Sequence, residues 1–183
     1  MFASGDYPSA SERERSGVDD LSEESSGKQP AGFPNLSKAM APITDLIKRF
    51  SDCTLPKGEW THEAHLIVGA WYVHQYGPAD ALSELRAGIR RLNEHHGTAN
   101  TMTNGYHETV TAAYVQVLAA FLASSTHAQL EDHIALLLSG PLADKDLLLR
   151  FYSHSLLFSV RARREWVEPD IAPLPRSVDT RPA

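Results

Sequence analysis

The chain has 183 residues, 23 acidic and 17 basic, giving a net charge of −6 and a pI near 5.8. That balance argues against nucleic acid or an anionic membrane as a partner, and the one cysteine excludes an internal disulfide or a multi-cysteine zinc centre. No run of about 18 apolar residues occurs, and the N-terminus lacks a basic stretch leading into an apolar one, so neither a membrane span nor a signal peptide is expected and a cytoplasmic location fits.

Residues 1–36 are rich in Ser, Glu, Gly and Pro, with scattered apolar positions, and are expected to be flexible. A first helix is expected from about Ala41 to Phe50. Met40, Ile43, Ile47 and Phe50 recur at helical steps, and Pro42 is tolerable only in a first turn. A Pro- and Gly-punctuated connector leads to a second helix from about Thr61 to Tyr76, capped by a left-handed Gly77. Pro78 opens a third helix, running to about His96 with Leu82, Leu85, Ile89 and Leu92 on one stripe.

The polar loop GTANTMTNG (Gly97 to Gly105) delivers the chain to a fourth helix, Tyr106 to Ser124. Thr126 is placed to cap a fifth, His127 to Leu138, ended by Gly140 and Pro141. A sixth is expected from near Ala143 through LLLRFY, and Ser159 is placed to cap a short seventh reaching Trp166. The proline-rich tail, 169–183, is expected to run extended and strap the bundle through Trp166, Ile171 and Leu174. The predicted fold is all-α: a single-domain bundle over 37–168, with four long helices and shorter C-terminal ones. Nothing in the pattern excludes a homo-oligomer.

The chemistry concentrates at the starts of two apolar helices. In WTHEAHLIVGAWYVHQYG, His62 and His65 lie one turn apart and about 60 degrees around the axis, with Gly69, Tyr72 and Tyr76 continuing that face. In NGYHETVTAAYVQVLAAF, His107 shares a face with Thr111 and Tyr114, and Glu108 points about 100 degrees away. Buried ionisable groups are costly unless paired, hydrogen-bonded or bound to metal.

Imidazoles with a carboxylate are a natural set for a transition ion such as Zn, Fe or Ni, so His62, His65 and His107 are candidate metal ligands. Glu108 is a candidate catalytic carboxylate, with Tyr72 and Tyr114 as groups that orient a substrate or stabilise developing charge. Tyr106, Thr111, Asn104, His154 and Arg150 are candidate pocket residues. The order HEAH is not the HExxH of zinc proteases, so no protease reading follows.

Each group also has an ordinary structural role: a core histidine bonded to a carbonyl, a carboxylate at a helix start, a packed tyrosine. The run RARR at Arg161 to Arg164 reads as a solvated face. In overall plan the chain resembles the DinB/YfiT family, helical bundles that place three histidines around a metal. The likeness rests on helical plan and histidine count, and no position of that family is carried onto these histidines.

Two functions follow as expectations. One is a metal-dependent enzyme acting on a small molecule through a histidine-rich pocket between helices. The other is a non-enzymatic helical module, binding a small ligand or serving a structural or interaction role, in which the same groups form a buried hydrogen-bond network.

Overall fold

Apolar residues at three- and four-residue steps dictate the architecture: helices that bury a stripe against one another. The computed structural model describes residues 36–125 and 129–176, with side chains from residue 42 onward. The segment expected to be flexible (bar Leu36), the expected cap Thr126 with the helix start at His127, and the tail beyond residue 176 lie outside the described residues.

Among the described residues six α-helices follow in order: α1 (Leu36–Ser51), α2 (His62–His95), α3 (Glu108–Ser124), α4 (Leu130–Ser139), α5 (His154–Leu157) and α6 (Val160–Arg164). No strand occurs among the described residues. The fold is all-α.

α1 buries Ile43, Ile47 and Phe50, the stripe its spacing predicts. It begins before Ala41, and Pro42 lies inside it rather than in its first turn. Cys53 leaves the helix at φ 57°, and the turned chain lets the Thr54 amide donate to the Arg49 carbonyl at 2.9 Å.

α2 contains both the second and third expected helices. The join is Gly77, at φ 75° and ψ 166°, a backbone state open essentially to glycine alone. Before the join the helix is buried on nearly all sides, through Ala64, His65, Leu66, Val68, Gly69, Ala70, Tyr72 and Val73. After it only one stripe is buried, through Ala81, Leu85, Ile89 and Leu92. Thr61 caps the start, its Oγ1 accepting from the Ala64 amide at 3.2 Å. The principal packing partner of α2 is α3, whose Val110, Ala113, Val117 and Leu118 are buried.

The C-terminal third departs furthest from expectation. In place of a sixth α-helix near Ala143 the chain makes two 3-10 turns, Pro141–Ala143 and Leu147–Arg150. Asp144 separates the two turns: its backbone is extended and its Oδ1 accepts from the Asp146 amide at 3.0 Å. α5 was not anticipated; Ser153 caps it by accepting from the Leu156 amide. Ser159 caps α6 as its position predicts.

The strap forms in part. Leu174 is buried and the Gln116 side chain donates to the Pro175 carbonyl at 3.2 Å, whereas Ile171 stays 60% exposed.

Candidate functional site

The start of α3 is where three parts of the chain meet. Gly105, at φ 77°, turns the loop inward, and a Cβ there would meet the Ala99 carbonyl oxygen at 2.7 Å. Asn100 pins the loop: its Oδ1 accepts from the Tyr106 amide and from Asn93 Nδ2, both at 3.0 Å, and its Nδ2 donates to the Arg90 carbonyl at 3.1 Å. From the far side Arg163 Nη1 donates to the carbonyls of Gly105 (3.0 Å) and Tyr106 (3.3 Å). Arg163 is buried, which corrects the reading of RARR as a wholly solvated face.

His107 is the N-cap of α3. Its Nδ1 accepts from the Val110 amide at 3.3 Å and its Nε2 donates to the Leu157 carbonyl at 2.9 Å. These bonds fix one neutral tautomer. Burial holds the ring's pKa down at about 3. The Thr111 hydroxyl donates to the His107 carbonyl at 2.9 Å.

Glu108 faces elsewhere, as its angle predicts. It takes Arg86 in a two-pronged pair, Nε to Oε2 at 2.9 Å and Nη2 to Oε1 at 2.5 Å, and accepts from the Tyr106 hydroxyl at 3.0 Å. Burial pushes its carboxyl up, but the bonds from Arg86 and Tyr106 outweigh that and hold it below the usual glutamate range. Burial and the neighbouring carboxylate raise Tyr106 to about 12. The Arg90 guanidinium lies 4.5 Å above the Tyr106 ring. The pair's outer edge is open, the Arg86 side chain being 37% exposed.

A second polar group lies between α2 and α3. His65, Gly69, Thr111 and Tyr114, with Leu66, Leu85, Val115 and Leu118, line a cavity of about 10 Å³, room for a single water molecule. The His65 ring stacks on Trp60 at 3.8 Å and its Nδ1 donates to the Thr61 carbonyl. That leaves Nε2 as the unprotonated nitrogen. Burial lowers this ring's pKa to about 3 as well. His62 is half-buried, with its ring 6.1 Å from that of Tyr114, and burial lowers its pKa. Burial raises Tyr114.

The expected site is therefore divided. His65, Thr111 and Tyr114 come together, with His62 beside Tyr114. His107 is turned to the C-terminal segment, and among the described residues no group of three or more His, Cys, Asp or Glu is arranged to hold a metal. The expected ligand set His62, His65 and His107 is not assembled, because both nitrogens of His107 are bound to backbone.

Tyr72 faces α1, with its hydroxyl 3.3 Å from Ser51 Oγ and its ring against Phe50, and Tyr76 is exposed. The single inward stripe predicted for α2 thus splits between two neighbours. Asn104 is exposed at the loop tip. His154 is exposed with its ring against Phe158, so it does not reach the cavity; Arg150 is exposed and paired with Asp144 at 3.2 Å.

Arg90, Asn100 and Arg163 carry the α3 start and were not singled out from the sequence. The i, i+4 spacing of Arg86 and Arg90 was the available signal. Compared with known proteins, the chain matches no family model, no curated protein and no solved structure. No helix among the described residues is long and apolar enough to cross a membrane.

Proposed function

We propose that the chain is a non-catalytic helical binding module. Its buried His, Glu and Tyr groups fix how α2, α3 and the C-terminal segment sit together, and recognition of a small-molecule partner falls to its surface. One observation carries this reading: both ring nitrogens of His107 and both oxygens of Glu108 are taken by protein donors and acceptors. Fully satisfied polar networks of this kind specify a unique core. The cavity beside His65 is also far smaller than the several hundred Å³ typical of ligand pockets. The negative charge speaks for a partner other than nucleic acid or membrane, and a free, buried cysteine suits the reducing cytoplasm.

The metal-dependent enzyme is the second reading, favoured by the position of His62 and His65 one turn apart beside Tyr114. In it those two imidazoles hold a Zn, Fe or Ni ion together with donors other than His107 and Glu108. Elemental analysis of the full chain purified without added metal separates the two. The first reading expects far less than one ion per chain and melting unchanged by a chelator. Close to one ion per chain, lost in His65→Ala with the fold retained, overturns it in favour of the second.

A further inference from the structure

Three guanidinium groups converge on two residues at the start of α3. Arg86 pairs with Glu108, Arg90 lies over the Tyr106 ring, and Arg163 bonds the Tyr106 carbonyl. Glu108 is the one carboxylate paired with any of them among the described residues. Glu94, on the same helix, accepts from Asn100 Nδ2 at 3.5 Å. Arg90 on this face forms no ion pair of its own among the described residues, although its charge is felt by Glu108, in a protein whose net charge is −6.

Like charges four residues apart on a helix repel one another. Arg163 adds to that field from a buried position behind the loop, with two carbonyls as its hydrogen-bond partners. The open edge also has donors to offer. The bonds to Glu108 use Nε and Nη2 of Arg86, so Nη1 takes no part in the pair, and the side chain is 37% exposed. Arg90 is exposed, and the Tyr106 ring beneath it holds its guanidinium in place.

We propose that the Arg86–Arg90 edge beside Tyr106 is a binding site for the carboxylate or phosphate group of a small molecule. The proposal rests on the reading of the chain as a binding module and names its ligand class. Guanidinium forks match the geometry of carboxylate and phosphate oxygens, and such charge-assisted bonds are among the stronger ones in water. The anion bridges Arg86 Nη1 and the Arg90 guanidinium, leaving the Glu108 pair intact. Glu108 holds Arg86 in position and turns away ligands of the wrong geometry by like-charge repulsion.

Titration of the full chain with inorganic phosphate and with succinate, followed by the arginine side-chain resonances in NMR, tests this. Both probes distinguish the two anion types. At least one is expected to bind saturably, with shifts at Arg86 and Arg90 that weaken as salt is added. Arg90→Gln is expected to keep the fold with at most a small drop in melting from the lost contact with the Tyr106 ring, and to bind about tenfold more weakly, the loss of one charge-assisted bond. Arg91→Gln, on the same helix, should bind like the parent. No saturable binding of either probe, or binding equal in Arg90→Gln and the parent (an adventitious ion only), overturns the proposal. The metal analysis above is read independently. A metal-free chain that ignores both probes sinks this inference alone, and a stoichiometric ion sinks the binding-module reading whatever the probes do.

Discussion

The polar groups at the start of α3 and those around the cavity one to two turns further along it have different kinds of partner. At the start, His107 and Glu108 are bound to groups from α2, α5 and the helix's own first turn, and the donors come in fixed pairs. Around the cavity, the His65 ring stacks on Trp60 and bonds the neighbouring Thr61 carbonyl, and the Tyr114 ring lies edge-on to His62. Groups bound at both ends behave as structure, and replacing one orphans its partners. Groups held by packing can be exchanged for others of similar shape at lower cost.

Mutations can break that comparison or sharpen it. The largest effect is expected for His107→Ala. It removes the cap of α3 and leaves the Leu157 carbonyl and the Val110 amide buried without partners, a loss of about 3 kcal/mol or more in chemical denaturation. His107→Asn, which keeps a capping side chain, should recover about 1 kcal/mol of that. A loss in His107→Ala no greater than in His65→Phe would erase the distinction between the regions.

Next in size is Gly69→Ala on the cavity side. Its new Cβ would meet Leu118 Cδ1 at 2.8 Å; Leu118 must shift toward the cavity it lines, and after the helix gain of Gly→Ala a net loss of about 1 kcal/mol is expected. Arg86→Gln should cost about 1 kcal/mol, because the pair is partly exposed and water screens it. A double-mutant cycle with Glu108→Gln isolates the pair itself; zero coupling would remove the ion pair from the network.

Acid gives a fourth test. His65 and His107 have pKa values near 3 in the folded chain, against an ordinary 6.5. The unfolded chain therefore takes up protons first. Stability from these rings is complete above about pH 6.5 and is lost as the pH falls toward 3. Glu108, held low, acts in the same direction below its ordinary 4.5. Between pH 6.5 and 5 the histidines dominate, so His107→Asn should flatten the fall of the unfolding midpoint with pH over that interval. An unchanged slope would mean that the His107 ring is not buried neutral. The smallest effect is expected for Tyr72→Phe, about 0.5 kcal/mol for its long bond to Ser51.

What the sequence disclosed follows from the range of the interactions. Gly77 and Ser159 were legible because a left-handed joint or a cap is decided within a few residues. The apolar stripe of α1 and the largely buried first half of α2 were legible for the same reason. The fate of His107 was not, since its Nε2 partner, Leu157, lies 50 residues away. Arg163 was misread because its carbonyl partners are 57 and 58 residues off, and charge composition marks arginine as surface by default. The sixth helix formed only as two 3-10 turns divided at Asp144, whose extended backbone and bond to the Asp146 amide interrupt the pattern before LLLRFY. The histidines were correctly marked as groups needing partners; whether those partners are protein or ligand is a three-dimensional question.

The bonds that join α3 to the segment after α6 have a consequence for biosynthesis. Thr109 accepts from the Val167 amide and donates to the Glu165 carbonyl, contacts that bridge 58 and 56 residues. On the ribosome, α2 and α3 emerge and pair long before those residues exist, so Thr109 and His107 must wait in water for their acceptors. A premature stop ahead of Val167 would release a product with the mouth of α3 unsealed, a natural target for chaperones and proteases. A fusion placed after Arg176 would leave that seal intact.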